Sequence, residues 1–323
     1  MQRSVYAIGE ALIDFIPGEK GVGLLDVETF YKRAGGAPAN VASVVAKLGG
    51  RSFFVGQVGA DAFGAFLERE LVKVGVNTQY LYKTTKANTA LAFVSLKADG
   101  DRDFSFYRNP SADLLLEPEQ VLPIEVTAGD VLHFCSVDLV DYPVKQAHRA
   151  LIEKFKRHGG IVSFDVNLRL NLWESEEACI QTVREFLPVA DVLKFSEEEV
   201  LLVSGKTNYA EGVQWLLDET NALLIITKGG AGADIHQAGE VLQIAGHKVE
   251  VVDTTGAGDA FIGSFLYALT KVEEGLSQLT LAQINDMLSY SNAVAALVTA
   301  KSGAIEAIPT KEEVVALLNT HKS

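Results

Sequence analysis

Short apolar runs of strand length recur through the second half of the chain: Val131–Cys135, Ile161–Asp165, residues 192–195 and Leu223–Thr227. Between several of them lie stretches with helical spacing, such as 144–157 and 210–217. This alternation predicts a parallel sheet with helices on both faces. In such sheets ligands bind at the carboxyl ends of the strands. The residues able to do chemistry gather at those ends. Asp165, Asn167 and Arg169 end one strand, Ser196 and Glu199 follow another, and Lys228 and Gly229 end a third. A β-branched run at 249–252 predicts a fourth strand, ended by Asp253 to Asp259.

The first third reads differently. Residues 90–96 and 103–107 are β-rich and flank the turn Asp99-Gly100-Asp101. The alternation Phe104-Ser105-Phe106 predicts a strand with one apolar face, and residues 12–16 are a candidate partner for this hairpin. Strands outside the strand–helix alternation predict a small β-lid. Upstream, Gly35-Gly-Ala-Pro-Ala-Asn40 opens a helix. Pro38 suits its first turn, Val41, Val44, Val45 and Leu48 mark one face, and Gly49 fits the end.

Composition sets the class. The 323 residues are 48% hydrophobic and 22% charged, ample for one large α/β domain with a minor appendage. A net charge of −14 opposes nucleic acid and anionic membrane surfaces but not a neutral sugar. Two cysteines, Cys135 and Cys179, give no disulfide framework or metal site, so a reducing cytoplasmic setting is expected. Residues 5–16 are apolar but contain Glu10 and Asp14, and are too short to span a membrane.

The run Asp253-Thr-Thr-Gly-Ala-Gly-Asp-Ala-Phe261 carries the sharpest chemistry. Gly256 and Gly258 let the backbone turn and approach a ligand. The helix predicted after them offers unpaired N–H groups and a positive dipole end, an anion site. An acid beside that cradle, Asp259, repels a phosphate and so needs a task. Accepting the proton of an attacking hydroxyl is the obvious one. The bland alternative is a glycine-rich turn with an aspartate on the helix dipole. Gly35 and Gly36 expose bare backbone before the other helix, and Asn40 offers a donor and an acceptor to sugar hydroxyls. Asp14 stands polar in an apolar run, either at a strand edge or on a sugar. Gly205-Lys-Thr207 looks like the end of a phosphate loop, but Val200 stands where its first glycine belongs, so it reads as a plain turn.

The 253–261 run resembles the second signature of the ribokinase-like (pfkB) sugar kinases, the family that includes fructokinase and adenosine kinase. Residues 35–64, with Gly56-Gln-Val-Gly59 and Asp61, match the family's first signature. The resemblance runs from Gly9 to Pro309. It implies a three-layer α/β/α fold with a mostly parallel sheet, one kinase domain over 1–323, and a lid of segments about 10–34 and 88–112. It implies Asp259 as catalytic base and Gly256, Ala257, Gly258 and Asp259 as the anion hole. It puts Asp14, Gly35, Gly36, Asn40 and Arg108 on the sugar, and Arg169 near both sugar and transferred phosphate. ATP would lie along Ser196, Thr227, Lys228, Gly229, Gly232, Gly256, Gly258 and Asn292. Magnesium would meet Glu199 through water, although Ser196 replaces the Asn that many relatives carry. Asp253, Thr255 and Gly303 would hold a monovalent cation such as K+. The lid in this family often joins two subunits, which implies a homodimer.

Gly9-Glu-Ala-Leu-Ile-Asp-Phe15, Phe106-Tyr-Arg-Asn-Pro-Ser-Ala-Asp113 and Asp165-Val-Asn-Leu-Arg169 resemble fructokinase segments. The expectation is therefore an ATP-dependent kinase acting on fructose at O6. The alternatives are a 2-keto-3-deoxygluconate kinase, using Arg108 or Arg169 for a carboxylate, and an aminoimidazole riboside or other nucleoside kinase, using Phe104 or Phe106 for a base. A non-catalytic sugar sensor or scaffold should have lost Asp259, Gly256, Gly258 or Arg169, and all four are present.

Overall fold

The computed structural model describes residues 3–19, 21–96, 102–237 and 239–320. Its strands are β1 (Ser4–Ile8), β2 (Leu12–Pro17), β3 (Phe30–Gly35), β4 (Arg51–Gly59), β5 (Asn77–Thr84), β6 (Leu91–Leu96) and β7 (Arg102–Tyr107) in the first part. They continue as β8 (Val131–Cys135), β9 (Ile161–Asp165), β10 (Val192–Ser196), β11 (Leu223–Thr227), β12 (Gly232–Gln237) and β13 (Glu240–Ala245).

Nine strands form one sheet in the order β13-β12-β11-β10-β9-β8-β1-β4-β5. From β11 to β5 every neighbouring pair is parallel. Strands covered on both faces need no polar face, and β1, β8 and β9 are buried at every residue. One face is closed by the helices Pro143–Arg157, Glu176–Phe186, Glu197–Ser204 and Tyr209–Glu219. Its core is aromatic: Phe134 and Phe164 on adjacent strands stack at 4.6 Å, with Phe186 edge-on. The other face is closed by Ala37–Lys47, Ala257–Leu269 and Leu281–Thr299. This is the three-layer α/β arrangement the alternation predicts.

Two features depart from the expectation. Residues 249–252 are not a strand. Val251 and Val252 are 60% and 59% exposed, and the N–H groups of Val252 and Asp253 both donate to the Thr299 carbonyl at the end of a helix. β-branching favours an extended chain, but with no neighbouring strand to bond the segment is a pinned connection. The sheet instead ends in β12 and β13, an antiparallel hairpin on β11.

The second sheet has the order β3-β2-β6-β7. β2 runs antiparallel to β3 and parallel to β6, and β6 with β7 makes the expected hairpin. The turn Asp99-Gly100-Asp101 lies outside the described residues. Asp14 sits opposite Arg33 on β3 and Ala92 on β6, on the face that also carries Leu12, Ala90 and Phe106.

Candidate active site

Two helices begin at the carboxyl edge of the large sheet, and each is preceded by a glycine with positive φ. Gly36 (φ 103°) precedes Ala37–Lys47 and Gly256 (φ 74°) precedes Ala257–Leu269. Neither glycine is replaceable without strain. A Cβ on Gly36 would lie 2.4 Å from the Glu10 carbonyl oxygen, and one on Gly256 3.0 Å from Ala304. At Gly35 a Cβ would fall 2.0 Å from Asp14 Oδ2, so Asp14 lies directly on the bare backbone of that turn.

The two turns meet through side chains. Asn40 Nδ2 donates to Asp259 Oδ2 at 2.8 Å. Asn40 is 7% exposed, and its Oδ1 is buried with no hydrogen-bond partner. A buried orphan acceptor is destabilising by about 1–3 kcal/mol until a donor meets it. A hydroxyl beside Asp259 is such a donor. Asp259 occupies the third helical position, where neither its own N–H nor that of Gly258 has an acceptor one turn earlier in the helix. Desolvation raises the Asp259 pKa above the ordinary carboxylate value. The Asn40 bond, Lys194 and Arg169 pull it back down. The net rise favours a proton acceptor at neutral pH.

Behind this turn stand Asp165 at the end of β9 and Lys194 on β10. Lys194 Nζ donates to both Asp165 oxygens at 2.8 Å. Burial pushes Asp165 up to about 6 against the pull of Lys194. Desolvation opposes the Lys194 charge, but Asp165, Glu199 and Asp259 together hold its pKa above the ordinary lysine value. Lys194 was not among the sequence candidates. Its signal was a lysine inside an otherwise apolar strand, the same signal that singled out Asp14.

Arg169 is exposed beyond β9, with Nη1 on the Leu168 carbonyl, and its charge is felt at Asp259. It follows Asn167, which holds φ 40° at the strand end. Arg108 is buried. Its guanidinium pairs with Asp113 and Asp138, with Nε 3.0 Å from Asp113 Oδ2. It borders a cavity of roughly 750 Å³ that also touches Phe106, Tyr142 and Trp173. Glu10 and Asp138 complete this buried acidic group, and burial pushes both carboxyls up. The Phe104 side chain lies outside the described residues.

The remaining candidates occupy the neighbouring strand ends. Ser196 Oγ caps the helix Glu197–Ser204. Glu199 accepts the N–H of Ser196 on one oxygen and that of Leu168 on the other, each at 2.8 Å. A carboxylate oxygen has a second lone pair, so a bound water still fits there. Thr227 Oγ1 donates to the Phe195 carbonyl, and Lys228 pairs with Asp234 over the Tyr209 ring. Gly229 faces open space, whereas Gly232 is needed inside the hairpin, its Cβ position lying 1.9 Å from the Ile244 carbonyl oxygen. Asn292 is buried and turns Nδ2 toward the Ile244 and Ala245 carbonyls of β13. Asp253 accepts from the Thr255 N–H and hydroxyl and from the Gly303 N–H, so those three residues do meet. Among the described residues, no group of three or more His, Cys, Asp or Glu could hold a metal ion. No described helix is long and apolar enough to cross a membrane.

Comparison with known proteins gives the family. The pfkB family carbohydrate kinase description matches residues 2–311. Probable fructokinase-5 of Arabidopsis thaliana is 40% identical over 317 residues, 98% of this chain and 97% of that protein. The fructokinase of Vibrio cholerae O395 in its fructose, ADP and calcium ion bound form aligns with a TM-score of 0.90 at 36% identity, covering 98% of this chain and 99% of that one. Aminoimidazole riboside kinase of Salmonella enterica, complexed with aminoimidazole riboside and an ATP analog, aligns with a TM-score of 0.86 at 29% identity, covering 98% and 99%. The chain belongs to the pfkB family of carbohydrate kinases, phosphotransferases that act on a sugar hydroxyl.

Proposed function

We propose that this pfkB-family chain is an ATP-dependent fructokinase that phosphorylates the O6 hydroxyl. The observation that carries the reading is the Asn40–Asp259 bond, which joins the sugar turn to the acid of the anion cradle. The sugar lies between the small sheet, Asp14, Gly35 and Gly36, with one hydroxyl donating to the orphan Asn40 Oδ1. Asp259 takes the proton of the attacking hydroxyl. The N–H groups at the start of Ala257–Leu269 face the charge that builds on the transferred group, and Arg169 balances it from the open side.

Magnesium is the metal of this reading, and it fits the donor set only as a passenger on the ATP phosphates. With no multi-carboxylate cluster among the described residues, its protein contact is Glu199 through water. It supplies charge neutralisation on the phosphates. Asp253, Thr255 and Gly303 form the corner where a monovalent cation would sit, against the loops on either side of the cradle.

Fructose is preferred over other acceptors because relatives named fructokinase are about 40% identical over nearly the whole chain. The test is ADP release with magnesium, potassium and ATP against fructose, ribose, 2-keto-3-deoxygluconate, aminoimidazole riboside and adenosine. Fructose should give the highest kcat/KM. A higher value for any other acceptor overturns the substrate and leaves the chemistry standing.

A further inference from the structure

Lys194 is a cation that the reaction as written does not use. It is 6% exposed in the middle of the parallel sheet, where a lysine is rare unless paired. Asp165 takes two of its three hydrogens at 2.8 Å each. Its Nζ is also the nearest atom to the Cβ position of Gly258, at 3.3 Å. The ammonium therefore abuts the anion cradle from below while the helix N-terminus faces it from the side. An ammonium has three donors, so one remains for whatever fills the cradle. The charge balance agrees. Asp165, Asp259 and Glu199 all act on Lys194 as nearby negative charges, more than one cation offsets. An incoming phosphate would add to that negative field, and Lys194 is the buried cation placed to counter it. Arg169, the other cation acting on Asp259, is exposed and screened.

We propose that Lys194 is a phosphate-contacting catalytic residue: held by Asp165 against Gly258, its ammonium hydrogen-bonds the terminal phosphate of bound ATP and follows that group through transfer. The inference rests on the reading of residues 256–259 as the phosphate cradle. In the step, the bond from the terminal phosphorus to the ADP oxygen breaks and a bond to the sugar oxygen forms. The hydroxyl proton goes to Asp259, and the leaving electron pair stays on ADP. Lys194 keeps its proton throughout and supplies only charge and one hydrogen bond. Asp165 is a positioning residue that acts through Lys194.

The alternative is a purely structural pair, for which removing one partner would affect stability and not nucleotide selectivity. Calorimetric titration in the absence of sugar separates the two. With magnesium, Lys194→Met should bind a non-hydrolysable ATP analogue about tenfold more weakly than the parent, while ADP, which lacks the terminal phosphate, should stay within about twofold. Its kcat should fall on the order of 10²-fold, the scale of one preorganised donor to a developing oxyanion. Equal changes for the two nucleotides, or none, in a folded protein would overturn the proposal. If Lys194→Met does not fold, the neutral pair Lys194→Met with Asp165→Asn is read by the same two titrations. Asp259→Asn keeps the readings apart: full turnover in that variant removes the general base, whereas the ATP-to-ADP contrast still judges Lys194.

Discussion

Asn40 carries two opposite demands on one amide. Its Nδ2 steadies the charged form of Asp259, and its Oδ1 waits for a donor. A base is useful only when deprotonated, so whatever raises its pKa moves the acid limb of activity to higher pH. Desolvation already raises the Asp259 pKa, and the Asn40 bond is the first of the effects that oppose it. Asn40→Ala should therefore shift the acid limb of the kcat/KM profile upward and raise the KM for sugar, since both halves of the amide are lost. An unmoved limb would show that the bond does not tune the base. The glycine and aspartate positions of this site were legible in the sequence because positive φ and anion binding leave composition marks. The orphan oxygen was not, because satisfaction of a polar atom is a property of neighbours distant in the chain. Lys194 escaped for a related reason: its partner lies 29 residues away on the next strand.

At the scale of elements, the helix Ala62–Lys73 shows how the site is braced. Asp61 caps it, accepting the N–H groups of Phe63 and Gly64 on Oδ1 at 3.0 and 2.8 Å. The same carboxylate accepts the Thr89 N–H and hydroxyl. Residue 89 leads into β6, so one side chain ties a helix of the large layer to the small sheet. Burial opposes the Asp61 charge, but these four bonds outweigh it and hold the pKa below the ordinary aspartate value. Asp61→Ala should destabilise the protein by about 2 kcal/mol, the upper range for a cap, measured by urea unfolding. It should also raise the KM for sugar by loosening the entry to β6. A stability change with an untouched KM would confine Asp61 to its helix. The elements themselves were largely readable, since β8, β9 and β11 carry the apolar runs that mark buried parallel strands. Residues 249–252 misled because β-branching marks extended backbone and not a hydrogen-bonded neighbour. The hairpin β12–β13 leaves a fainter mark, its second strand alternating only weakly between exposed and partly buried positions.

Across the whole molecule, buried titratable groups of both kinds set how stability follows pH. Asp138 is pushed up to about 7 by burial, against the pull of Arg108, and its Oδ2 has no hydrogen-bond partner. Asp165 is pushed up to about 6, and burial raises Glu10 as well. Between the unfolded carboxylate value, about 4, and these folded values, the folded state holds protons that the unfolded state has lost. Lowering the pH through that window stabilises the fold, and the stability fades as pH rises through 7. His133 and His148 work in the other direction. Burial lowers them to about 3 and about 4, so below roughly 6.5 the unfolded chain takes up protons that the fold refuses. From pH 8 down to 6.5 the two sets oppose each other, because at the lower end a histidine of the unfolded chain is already about half protonated. The melting temperature of the parent therefore reports the sum of the two, and the carboxyl part is read as a difference between variants. Asp138 is the group whose titration falls inside the interval. Burial raises its folded value into this range, so its own contribution to stability grows as the pH falls across the interval. Thermal melts at the two pH values, for the parent and for Asp138→Asn, isolate that part, because the amide cannot take up the proton. The variant should gain less on acidification than the parent. An equal gain in both would mean that Asp138 does not change protonation across this range and that its charge is fully met by Arg108.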